Sequence, residues 1–220
     1  MEQTVKKKQK KVYKNPQLPL LEEIGNAVTH GLGVIFTIVV MILMYIKADT
    51  LTEYLAVSIY SFGLFILYIM STLYHSFKAG TKVKAVFRRF DHCSIYFLIG
   101  GTFAPILLCL IGGKTGINFF IIQWIIIFIG VTIKAIFHPS RLLPLHVTFY
   151  LLLGWSGLLF IKDLYVINHN LFYLILSGGI VYSLGVIPFG LKFKGAHFIW
   201  HFFVLGGTIL QFIGIYLYII

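Results

Sequence analysis

The chain has 220 residues, of which 59% are apolar and 11% charged, and its formal net charge is +11. Soluble domains carry about 25% charged residues. Together with a mean hydropathy of +0.91, these values exclude a disordered chain and a soluble globular domain. The charge excess therefore bears on the sides of a bilayer, and no nucleic-acid partner is expected.

Seven stretches lack Asp, Glu, Lys and Arg: 24–46, 54–77, 92–113, 115–133, 142–161, 164–191 and 195–220. A spanning helix needs about 20 mostly apolar residues, so each stretch suffices for one crossing and none for two. Barrel strands would alternate over about 10 residues, whereas Leu, Ile, Phe and Val fill these runs on all sides. The expected fold is an all-α integral membrane protein. A basic tail over 1–20 precedes a seven-helix domain over 21–220, with helices near 26–46, 54–77, 91–112, 116–136, 142–161, 166–190 and 196–219.

The first run is too long for a signal peptide, and no small-residue cleavage site follows it. Pro105 and Pro188 fall inside helices three and six and should bend them. The glycine pairs at 100–101, 178–179 and 206–207 permit close helix packing. No convincing internal repeat is visible, so an inverted-repeat transporter gains no support.

Basic residues set the orientation. Lys6, Lys7, Lys8, Lys10, Lys11 and Lys14 lie in the tail, and Lys78, Lys82, Lys84, Arg88 and Arg89 in the second loop. Lys134, Arg141, Lys192 and Lys194 lie in the fourth and sixth loops, which brings this side to 15. Lys47, Lys114 and Lys162 are the 3 on the other side. By the positive-inside rule the amino terminus is cytoplasmic and the carboxyl terminus outside. The tail is expected to touch anionic lipids of the inner leaflet.

Cys93 and Cys109 stand about 24 Å apart along one helix, too far for a disulfide, and both read as packing residues. The acids fall mostly at helix ends and loops. Glu22 and Glu23 precede helix one, and Asp91 stands at the mouth of helix three.

Ionisable groups at membrane depth mark functional candidates. His75 closes helix two. His197 and His201 open helix seven at i, i+4 spacing, which places them on one face. Ser71 and His75 share that spacing on helix two. Three helices thus bring Ser71, His75, Asp91, His197 and His201 to one depth at the cytoplasmic end. Three imidazoles suit Zn²⁺, whose catalytic sites keep three protein ligands and an open position. Asp91 would orient a water, accept its proton, or support an imidazole N–H. Ser71 would orient a substrate carbonyl; its alternative is plain helix packing. A hydrogen-bonded helix clasp without metal is the competing reading of the cluster. His30 is expected in a structural network with Asn26 and Thr29. His138 and His146 are expected at the interface and His169 in an outer loop, and His92 should point about 100° away from Asp91.

Four ordered pieces carry a resemblance: Glu23-x-x-Asn26-x-x-Thr29-His30, Ser71-Thr72-Leu73-Tyr74-His75-Ser76, Arg88-Arg89-Phe90-Asp91-His92 with Gly101-Thr102-Phe103-Ala104-Pro105, and His197-x-x-x-His201. From about residue 20 onward the chain resembles the hemolysin III family, the bacterial branch of the progestin and adipoQ receptor family that includes the adiponectin receptors. The resemblance implies a multi-pass protein of the bacterial plasma membrane with a cytoplasmic amino terminus. It also implies zinc on His75, His197 and His201, Asp91 at the metal-bound water, and Ser71 in the same motif. The related alkaline ceramidases suggest hydrolysis of lipid amide bonds.

Three functions follow as expectations. The first is a zinc-dependent hydrolase of a lipid amide or ester, with membrane lipid as substrate. The second is a receptor or sensor stapled by structural zinc. The third is a lytic protein, as the family name suggests, although few polar faces are available to line a pore. A retinal protein is excluded, because 197–220 contains no lysine. A G-protein-coupled receptor would place its amino terminus outside, against the basic count.

Overall fold

The computed structural model describes residues 17–137, 142–191 and 193–220, and the side chains from residue 20 onward. Residues 1–16, His138, Arg141 and Lys192 lie outside the described residues, as do the expectations placed on them. Seven helices are long and apolar enough to cross a membrane. They are α1 (Gln17–Lys47), α2 (Leu51–Ser76), α3 (Lys82–Ile111), α4 (Gly113–Ile136), α5 (Leu143–Ile167), α6 (His169–Leu191) and α7 (Ala196–Tyr218). In hydrocarbon the backbone must satisfy its own hydrogen bonds, which forces helices on such runs.

Local chemistry places the helix ends. Thr50 and Glu53 form a reciprocal cap at the start of α2. The Thr81 hydroxyl accepts from Lys84 N–H and starts α3. Asn168 Oδ1 accepts from the N–H groups of Asn170 and Leu171 and starts α6 after a break of one residue. Pro105 lacks an N–H and ends the α-helical part of α3, and Ile106–Ile111 continues as a π-helix. Gly112 (φ 60°) and Gly113 (φ 55°) then make the turn into α4 in the left-handed region that favours glycine.

The helices extend beyond the charge-free runs. α1 starts at Gln17 rather than 26, α3 at Lys82 rather than 91, and α5 reaches Ile167 through the loop expected around Lys162. Charge-free runs mark hydrocarbon depth, whereas helices with long basic side chains project past it. Asp91 consequently stands more than two turns inside α3, and Glu23 lies inside α1.

The main core, built on Val40, Met44, Val57, Tyr60, Leu64, Tyr68, Leu98, Val204 and Ile215, joins α1, α2, α3 and α7. Gly63 and Gly101 bring the α2 and α3 backbones together: a Cβ on Gly63 would lie 2.4 Å from the Phe97 carbonyl oxygen. Thr208 ties three helices, accepting from Tyr68 (2.8 Å) and meeting the Tyr182 hydroxyl (2.7 Å) while donating to the Val204 carbonyl. Large apolar side chains such as Ile35, Ile46, Ile136 and Leu152 face outward, as expected of a lipid-facing belt. α5 packs sparingly on its neighbours.

Candidate metal centre

His75 stands on the last turn of α2, His197 and His201 on the first turns of α7. One ring nitrogen from each lies within 4.8 Å of the other two. His75 and His201 are buried and His197 is half-buried.

Each buried ring is held by its far nitrogen. Nδ1 of His75 meets Glu23 Oε2 at 2.8 Å, and Nδ1 of His201 meets the Asn26 carbonyl oxygen at 3.2 Å. Both acceptors lie on α1, one turn apart. An acceptor at Nδ1 fixes the proton there and leaves the lone pair at Nε2. Nε2 of His75 then faces Nε2 of His197 at 3.2 Å. Asn26 Nδ2 also reaches His75 Nδ1, at 3.5 Å. Of the expected α1 group, Glu23 and Asn26 thus contact the cluster, whereas the Thr29 hydroxyl turns back to the Gly25 carbonyl.

Glu23 in turn is held by Lys84, whose Nζ lies 2.8 Å from Oε2 and 3.0 Å from each of the Tyr74 and Phe77 carbonyl oxygens. A lysine counted with a loop is therefore buried, closing the end of α2 and fixing the carboxylate behind His75. Thr81, three residues before Lys84 and suited to cap a helix, is the sequence signal that would have placed Lys84 on one.

His30 is buried with both ring nitrogens unpartnered. Its ring stacks on His201, with centroids 3.6 Å apart and planes 10° apart, so it packs rather than joining the expected hydrogen-bond network. His146, on the first turn of α5, is also buried, and its Nδ1 lies 2.8 Å from the Tyr96 hydroxyl. His169 opens α6 instead of lying in a loop.

A cavity opens beside the histidines, with about 1180 Å³ of empty space, its mouth included. His30, Ser71, Asp91, His92, His197 and His201 meet it at one end. Ser71 Oγ is buried there beside the Asp91 carboxyl. Beyond them the walls are mostly apolar, including Leu98, Val147, Val186 and Val204, as far as Phe103 and Trp155, with Thr102, Ser183 and Gln211 among the polar exceptions. His92 lines this space together with Asp91, its Nε2 4.0 Å from Asp91 Oδ2. The 100° between neighbours therefore does not keep them from lining one space. A second, polar hollow lined by Glu22, Glu23, Asn26, Tyr74, Arg88 and His75 shares His92, Leu143, Phe189 and His197 with the first.

The family described as haemolysin-III related matches residues 19–212. Hemolysin-3 of Bacillus cereus is 38% identical over 205 residues, covering 90% of this chain and 92% of its own. The Hemolysin-3 homolog of Bacillus subtilis (strain 168) is 36% identical over 202 residues, covering 90% and 94%. The human Monocyte to macrophage differentiation factor is 29% identical over 206 residues, covering 90% and 84%. The chain belongs to the haemolysin-III-related family and is a multi-pass integral membrane protein.

Proposed function

We propose that this haemolysin-III-related protein is a zinc-dependent hydrolase acting on an amide or ester bond of a membrane lipid, at the cytoplasmic leaflet of the plasma membrane. The observation that carries the reading is the 3.2 Å approach of the His75 and His197 Nε2 atoms. With the His75 proton at Nδ1, a lone pair faces the second ring and needs a proton or a cation beside it. The approach is close to the edge of about 3.3 Å in a tetrahedron with metal–nitrogen bonds of ~2.0 Å. The donor set fits zinc: three imidazoles, two of them oriented by acceptors behind them. When bound, zinc supplies Lewis acidity that polarises a carbonyl and brings the pKa of water to about 7.

The chain's own residues supply the rest. The apolar cavity takes an acyl chain and excludes bulk water from it. Loose packing of α5 gives a lipid a sideways route between helices. Ser71 Oγ, buried beside Asp91 in the same space, is placed to donate to the substrate carbonyl. Asp91 faces the same space and acts as the proton acceptor from water, then the donor to the leaving nitrogen or oxygen.

The test is turnover of amide and ester lipids by purified protein, beside Asp91→Ala. Turnover by the wild type, lost in Asp91→Ala with metal content unchanged, is the expected result. A wild type that holds zinc and consumes no lipid would instead favour zinc as a staple between α2 and α7, as a receptor or sensor requires.

A further inference from the structure

The polar hollow beside the histidines has an uneven charge arrangement. Its two acids are engaged by the protein itself: Glu23 Oε2 by His75 and Lys84, and Glu22 Oε1 by the Gly195 N–H at 3.2 Å. Its arginine is not. Arg88 is half-buried in the lining, and among the described residues no carboxylate lies within ion-pair distance of its guanidinium.

Position adds direction. Arg88 stands on α3 about one turn outward from Asp91 and His92. From His92 the apolar cavity follows α3 inward to Phe103, about 16 Å by helix rise. That is roughly the depth of one leaflet of a ~30 Å hydrocarbon core, so one acyl chain fits this length. The histidines and Asp91 lie where the two spaces meet. A lipid with its chain in the cavity and its acyl carbonyl at the histidines places its headgroup side, rather than its acyl carboxyl side, in the hollow beside Arg88.

We propose that Arg88 anchors a headgroup phosphate, and that the lipid taken up is a single-chain phospholipid. This rests on the reading of the site as a lipid site and specifies its substrate class. A guanidinium offers a planar fork of donors that matches phosphate oxygens in pairs, and a partly desolvated fork binds them more strongly than an exposed one. The two acids lining the hollow have other partners and neither lies within ion-pair distance of the fork, so binding phosphate breaks no existing ion pair. The chain in the cavity supplies affinity and the phosphate supplies selection.

The experiment is equilibrium binding to the full-length protein in neutral detergent, followed by tryptophan fluorescence, because Trp155 and Trp200 line the cavity. The ligands are 1-acyl-glycerol 3-phosphate and the matching monoacylglycerol, both as ether analogues that a hydrolase cannot cleave, with the matching fatty acid and inorganic phosphate. Wild type, Arg88→Gln and Arg88→Lys are compared, each checked for folding by thermal melting and for metal content.

The expected result is that the phosphate lipid binds tenfold or more tightly than monoacylglycerol, about the contribution of a charged hydrogen bond. Arg88→Gln should abolish that preference while monoacylglycerol binding and metal content stay as in wild type. Arg88→Lys should keep part of it, having the charge without the fork. Equal binding of the two glycerolipids, or a preference that survives Arg88→Gln, would overturn the assignment. So would fatty acid binding as tightly as the phosphate lipid, or inorganic phosphate alone doing so. Loss of zinc or of turnover with the phosphate preference intact would overturn the hydrolase and leave the anchor standing.

Discussion

Glu23 and His75 meet across two helices at 2.8 Å, and the same carboxylate oxygen takes Lys84 at 2.8 Å. One acid on α1 thereby fixes the ring tautomer of a residue on α2 and the base of α3. The chain of contacts runs Lys84, Glu23, His75, His197, so the histidine cluster is supported from a residue that never faces it.

Replacing Glu23 by Gln should weaken metal binding about 10- to 100-fold, the usual effect of losing the partner behind a ligating histidine. The substitution keeps the shape and removes the charge that orients the ring. Competition titration with a chromogenic chelator measures it. Unchanged affinity would show that the contact serves packing alone.

Metal should also stabilise the fold, because its ligands sit on helices remote in sequence. A ligand bound only by the native state adds about 2.7–4.1 kcal/mol at 100 to 1,000 times its dissociation constant. Chelation should therefore lower the melting temperature of the wild type in detergent. His201→Ala should melt at the lower temperature and show little response to chelator.

The α2–α3 contact sets the depth at which Ser71 and Asp91 share a cavity. Gly63→Ala would press a methyl against the Phe97 carbonyl, and the backbones must part. A cost of about 1–3 kcal/mol follows from overpacking, read as a lower melting temperature. Gly154→Ala, with nothing near its missing Cβ, is the control that should change little.

The number of helices and the histidine cluster were legible because both rest on spacing. Charge divides the chain into seven long apolar runs, and His197 and His201 are one turn apart on any helix. Lys84, His30 and His146 were not legible. Lys84 was counted as loop because a basic residue outside an apolar run looks solvated, yet its long stem carries the ammonium back to Glu23 and two carbonyls. The stacking of His30 on His201 depends on how α1 and α7 cross, which no local pattern records. His146 stands beside a charged loop, but its burial depends on the Tyr96 hydroxyl presented by α3. Arg88 reads from sequence as one of five basic loop residues, and only the placement of Glu22 and Glu23 against other donors sets it apart.

The most direct test of the metal centre is elemental analysis of purified protein in detergent, beside His201→Ala. The account predicts about one zinc per wild-type chain, lost in the variant while helical content is retained. A folded wild type that holds no metal, even after zinc is added back, would contradict it and leave the three histidines as a hydrogen-bonded clasp between α2 and α7.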